Sequence, residues 1–182
     1  MTTDLRFDFV VDRAASTLTT QREFAAARPL VWDCHTQSHL LDRWFAPKPL
    51  TTQTKLMDFR AGGTWHYAMV EPGGREHWGR FDYLAIDPID GYAARDGFCD
   101  VQGTLDPNLP RSRWDVTFTD VRPVGASPAE GGDRTLVQTV VSYTSAEDID
   151  RVIAMGMRDG LTSTLERLDE LLLTLKREKD LA

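Results

Sequence analysis

The stretch that opens at Ser145 limits the possible folds of this chain more than any other. Ile149, Ile153, Met157, Gly160, Thr164, Leu168, Leu171 and Leu175 recur with a helical period, and Leu161, Leu165 and Leu172 stand beside them. Arg151, Arg158, Arg167, Glu170 and Lys176 fall largely on other faces. Ser145 stands three residues before Asp148, a relative of the capping box that satisfies free N–H groups at a helix start. Lys176, Arg177 and Lys179 sit where the helix dipole is negative. The pattern predicts one amphipathic helix of about 30 residues, roughly 45 Å long. Such a helix needs a broad apolar surface to lie on.

The rest of the chain supplies that surface as strands. FDFVV at residues 7–11 and TLTTQREFA at 17–25 are β-type runs separated by the polar DRAAS. Pro29 then opens a short helix to about Cys34, since proline in a first turn gives up no hydrogen bond. HLLDRWF follows, with Leu40, Leu41, Trp44 and Phe45 on a helical face that Pro47 and Pro49 terminate. From about 51 to 144 come TTQTKLMDF, TWHYAMV, EHWGRFDYLAI, GYAARDGF, SRWDVTFTDV and RTLVQTVVSY, separated by turn-rich segments. One of these, RPVGASPAEGGD, is expected to lie outside the core.

Helices do not alternate with strands here, so a parallel crossover fold is excluded. The expected class is α+β: a curved antiparallel sheet of six or seven strands around a long C-terminal helix, with two short helices after the first strands. Strand twist curves such a sheet and leaves space between its concave face and the helix. All 182 residues are expected to form one domain.

Charge and composition remove several function classes. With 28 acidic and 21 basic side chains, the net charge of −7 repels nucleic acid and anionic membrane surfaces. No window approaches the ~20 apolar residues of a membrane span. The acidic start MTTDLRFDFVVD does not resemble a secretory signal, so a cytoplasmic location is expected. Cys34 and Cys99 are read as reduced, buried small hydrophobes.

Five ordered segments carry a family resemblance: TTQREFAAARPLVWD, LLDRWFAPKP, MDFRAGGTWHYAMVEPGG, the IDP turn at 86–88, and MGMRDG leading into LTSTLERLDELL. Together they resemble the activator of Hsp ATPase homologue family, whose namesakes bind the ninety-kilodalton heat-shock chaperone. The resemblance spans about residues 18–175. It implies the START-like helix-grip fold of the SRPBCC superfamily, shared with polyketide cyclases and plant allergens that hold hydrophobic ligands. It also implies, as a second possible role, a co-chaperone-like interaction module with a place in stress response.

Alternation puts Trp65, Tyr67 and Met69 on one strand face and His66, Ala68 and Val70 on the other. The aromatic set is assigned to the concave face, joined through the register of the EPGG turn by Phe81 and Tyr83 from the next strand, as either an aromatic ligand wall or ordinary core packing. Trp44 at the end of the second short helix either closes the mouth or staples that helix to the sheet, and Met157 and Leu161 contribute from the long helix. With His77, these nine residues form the expected ligand-binding set. Gly62 and Gly63 make a turn, Gly156 and Gly160 leave room for a strand or a ligand, and Arg60 either anchors an acidic ligand or pairs with a carboxylate.

His35 and His39 lack the glutamate of HExxH and straddle a helix break, so no metal is expected there. His66 and His77, on neighbouring strands, are within possible reach of one another. No GxSxG elbow fixes a nucleophile, and no cofactor is expected. The leading expectation is a noncatalytic domain, monomeric or homodimeric, binding a small, mainly hydrophobic molecule. A chaperone-interaction module is second. A polyketide cyclase-like enzyme using His77, Tyr67 or Arg60 is third.

Overall fold

The computed structural model describes residues 5–122 and 133–180. The chain opens with a hairpin, β1 (Phe7–Asp12) and β2 (Thr17–Phe24), in which Phe7 lies opposite Arg22 and Asp12 opposite Thr17. Pro29 occupies the first turn of α1 (Arg28–Thr36). Gln37, in an extended conformation, separates it from α2 (Ser38–Trp44). This break puts His35 inside and leaves His39 exposed, so the two do not share a helix face.

A meander follows: β3 (Thr51–Met57), β4 (Thr64–Val70), β5 (Glu76–Asp87), β6 (Gly91–Phe98), β7 (Ser112–Val121) and β8 (Arg134–Ser142). Most of the segment RPVGASPAEGGD between β7 and β8 lies outside the described residues. The sheet has eight strands in the order β1-β2-β8-β7-β6-β5-β4-β3, one or two more than expected, and every pair is antiparallel. All eight runs with strand character enter the same sheet because β2 closes against β8, with Leu18 opposite Val141 and Phe24 opposite Thr135. At that seam Thr135 is fully buried, and its hydroxyl donates to the Ala26 carbonyl at 2.7 Å.

The long helix is interrupted. Ser145 caps α3 (Ala146–Ala154), its Oγ accepting from the Asp148 N–H at 3.2 Å. Gly156 then ends that helix at φ +91°, donating its N–H to the Ile153 carbonyl at 2.9 Å. An L residue with a side chain rarely adopts that conformation, and glycine just past a helix end commonly does. The Gly156 carbonyl accepts from Gly160 N–H at 2.9 Å, so α4 (Met157–Asp180) starts at once in a new direction. The apolar period runs through the junction because both helices cover the same side of the sheet.

Leu168 and Leu172 of α4 join Phe24, Val31, Trp32 and Phe118 in the main hydrophobic core. The backbone of α4 lies close to α2, with α1 and α3 also in contact. Arg167 holds the α2–β3 connection by donating to the carbonyls of Ala46 at 2.7 Å and Leu50 at 2.6 Å. Arg22 of β2 pairs with Asp169. From about Arg167 onward α4 is thereby fixed over α1, α2 and the sheet, while its first two turns span a gap.

Candidate functional site

That gap is a pocket of about 340 Å³ between the sheet and the junction of α3 with α4. Register builds its floor. Trp65 lies opposite Phe81, Phe81 opposite Asp96, and Asp96 opposite Ser112. Residues directly opposite in antiparallel strands share a face, so these side chains form one row from β4 to β7. Tyr67 lies opposite Gly79. A Cβ on Gly79 would stand 2.6 Å from both Cζ and Oη of Tyr67; the missing side chain is the space in which the tyrosine ring lies.

An aromatic wall stands on this floor. Trp65 and Tyr67 stack with centroids 4.1 Å apart, and Phe45, just after α2, meets their rings edge-on at 4.7 and 5.3 Å. Phe81 meets Trp114 edge-on at 5.2 Å. The helices supply Met157, Gly160, Leu161 and Thr164 from α4, with Val152 and Met155 beside the junction. Met155 is 55% exposed, which puts the thioether at the mouth.

Six of the nine residues expected from sequence meet at this pocket: Trp44, Tyr67, Met69, Phe81, Met157 and Leu161. Trp65 and Tyr83 share the floor's face but lie outside the lining. Trp65 is locked behind Tyr67, its Nε1–H donating to Thr54 Oγ1 at 2.9 Å. Tyr83 packs edge-on against Phe59 at 4.8 Å, further along β5. His77 sits near the start of β5, half exposed, with Nε2 2.6 Å from Glu71 Oε1. Strand alternation fixes which face a residue occupies, not how far along the strand it stands from the pocket.

The remaining polar candidates separate likewise. His66 lies opposite Arg80 whereas His77 lies opposite Met69, so the two histidines take opposite faces and do not meet. His66 Nε2 bonds the Asp100 carbonyl at 3.1 Å, with its ring beside Trp78. Arg60 is exposed and donates from Nε to Asp58 Oδ2 at 2.8 Å. Of His77, Tyr67 and Arg60, only Tyr67 borders the pocket, so the set suggested for a cyclase-like reaction does not converge. Among the described residues, no group of three or more histidine, cysteine or acidic side chains is placed to hold a metal ion.

The pocket also takes polar residues that patterning did not select. His35 is buried, and its ring lies 4.9 Å from Trp44 and 5.1 Å from Phe118. Its Nδ1–H donates to the Val31 carbonyl at 2.9 Å. Burial pushes its pKa down to about 4, although that hydrogen bond opposes the shift; the ring is neutral, with Nε2 as an acceptor. Asp96 borders the pocket directly. Burial pushes its carboxyl up to about 7, against the Gly97 backbone N–H and the charge of Arg111. Burial likewise raises the Tyr67 and Tyr143 phenols, keeping them protonated. Tyr143 Oη bonds Met157 Sδ at 3.5 Å, tying the end of β8 to the start of α4. His35 and Asp96 were missed because each sits in a run whose periodicity says where a residue points and nothing about what it meets.

No curated protein matches the sequence. Solved structures do. A solution structure of a protein from Arthrobacter aurescens is 24% identical, with a TM-score of 0.80 over 92% of this chain and 91% of that one. Protein Ms6760 from Mycobacterium smegmatis is 28% identical, with a TM-score of 0.79 over 93% of this chain and 97% of that one. A protein from Silicibacter pomeroyi described as AHSA1 is 20% identical, with a TM-score of 0.65 over 87% and 98%. These neighbours share the antiparallel sheet closed by a C-terminal helix. The family described as "Activator of Hsp90 ATPase homolog 1-like protein" matches residues 25–173, and with that span covering most of the chain, the protein belongs to this family and carries its START-like, helix-grip fold.

Proposed function

We propose that this chain is a noncatalytic binding domain that holds a small, mainly hydrophobic molecule between the sheet and the α3–α4 junction. The observation that carries this reading is the pocket of about 340 Å³ walled by Tyr67, Phe81 and Trp114 and roofed by Met157 and Leu161. A space of that size falls within the range of small-molecule sites. Its phenols and imidazole are held in neutral forms that burial favours, and Cys34 is buried with its thiol pushed up to about 12. These groups are therefore fitted to bind rather than to exchange protons or attack, which leaves Asp96, pushed up to about 7 by burial, as the group of the lining that titrates near neutrality.

A thermal-shift screen against lipids and aromatic metabolites tests it. A specific ligand raises the melting temperature in proportion to the logarithm of its concentration above Kd. Uniform absence of shifts, with Trp114 and Tyr67 chemical shifts unmoved, would remove the reading. Family membership supports a second reading, contact with a chaperone. Stimulation of chaperone ATPase by the purified chain would favour that role.

A further inference from the structure

We propose that the molecule this pocket selects is an amphipathic cation, with its apolar body against Tyr67, Phe81 and Trp114 and a protonated amine on the Asp96 carboxylate. The inference rests on the reading of the pocket as a ligand site and adds the chemistry of the ligand's head.

Three side chains of the lining can carry charge: Arg22, His35 and Asp96. Arg22 is already paired with Asp169, and its guanidinium lies over the rings of Phe7 and Phe24 at 5.4 and 5.9 Å. His35 has spent Nδ1–H on Val31, and burial keeps it neutral. Among the described residues Asp96 has no side-chain hydrogen-bond donor and is met by the Gly97 backbone N–H, and the nearby Arg111 pairs through Nη2 with Asp82. The charge left open in the pocket is therefore negative, and the free ring nitrogen of His35 is also an acceptor. A carboxylate in such surroundings is costly unless a cation or donors reach it. An ammonium supplies both, and Tyr67, Phe81 and Trp114 offer π faces to the same charge. An anionic ligand would meet the charge of Asp96, and although Arg22 Nε has no hydrogen-bond partner, the charge of that guanidinium is already balanced by Asp169.

The groups facing Asp96 fix a second property. From β4 there is Tyr67, from the end of β6 Cys99, from the approach to β7 Arg111, and after β8 Tyr143. The α3 and α4 lining residues, Val152, Met155, Met157, Gly160, Leu161 and Thr164, do not titrate. Asp96 is thus the group in this neighbourhood that changes charge near neutrality. A bound ammonium favours the charged carboxylate and lowers its pKa below the free value of about 7. Binding then releases a proton, and affinity rises with pH by no more than about tenfold per unit up to that value, then levels off.

The probes are two matched sets, decyl and naphthylmethyl, each as amine, alcohol and carboxylate, titrated calorimetrically into the full chain and into Asp96→Asn. At about pH 8 the amines should bind at least about tenfold more tightly than the alcohols, a gap of about 1.4 kcal/mol, and the carboxylates least. Asp96→Asn should erase the amine preference and leave alcohol binding in place. Wild-type amine affinity should also fall at about pH 5.5, with a buffer-dependent heat that reports proton release. Amines and alcohols binding alike, or no change in Asp96→Asn and no pH dependence, would overturn the cation assignment while leaving a hydrophobic pocket. Failure of every probe in both sets to bind the wild type would remove the pocket reading as well.

Discussion

The two halves of α4 carry the same helical period and use it for opposite ends. From its middle onward, Leu168, Leu171 and Leu172 are buried against Trp32, Phe118 and neighbours, with Leu168 at 0% exposure. In the N-terminal half the equivalent stripe is Met157, Gly160, Leu161 and Thr164, which face the pocket. One half is a run of branched hydrocarbon in a solid core. The other is a thioether, a missing side chain, one leucine and a hydroxyl, set against open space. The difference teaches that an amphipathic stripe identifies a buried face without saying whether that face is filled.

The strongest way to break the comparison is to truncate both halves. Leu168→Ala removes a fully buried side chain and should cost about 3–5 kcal/mol, since the surrounding helices relax only partly into the void. Met157→Ala removes a half-buried, flexible side chain next to existing space, and should cost about 1 kcal/mol or less. Urea denaturation of the two variants reads the difference. Equal costs would mean that the N-terminal half is packed as solidly as the C-terminal half.

Asp96 sharpens the contrast through pH. Its folded pKa of about 7 lies above the ordinary 3.8, so folding favours the protonated carboxyl. Stability from this group is complete below the unfolded value, falls as pH rises between the two, and reaches its minimum above about 7. Asp96→Asn lacks the titration. The variant should match wild type near pH 4 and exceed it by about 2–4 kcal/mol above neutrality, at about 1.4 kcal/mol per pKa unit with some relief from the space beside it. Denaturation across that range checks the sign, and a stability gain that does not grow with pH would contradict the burial of Asp96.

What could be read in advance divides along the same line. The eight strand runs, both short helices and the Ser145 cap are local: alternation, proline placement and a side-chain acceptor decide each of them within a few residues. Tyr67, Met69 and Phe81 followed from alternation plus bulk, and Trp44 from its place at the end of a short helix. The helix break at Gly156 did not, because an apolar period survives a bend that keeps both segments over one sheet. His77 was taken into the site, and Asp96 was left out of it, for one reason. Position along a strand relative to the pocket depends on how β6 and β7 register against β5, and nothing within either strand encodes that pairing.

Gly160 offers the smallest effect and the most direct separation of stability from function. It lies inside α4, where glycine is less favourable than alanine by about 1 kcal/mol. A Cβ placed there meets only Pro47 Cγ, at 3.9 Å, an ordinary contact. Gly160→Ala should therefore raise the melting temperature by about 2–4 °C. The new methyl group would project toward space that the pocket now holds, so affinity for the naphthylmethyl probes should fall as stability rises. If the melting temperature rises and binding is unchanged, the ligand does not use this turn of α4. If the melting temperature falls, the turn is already filled and the helix has no slack to give.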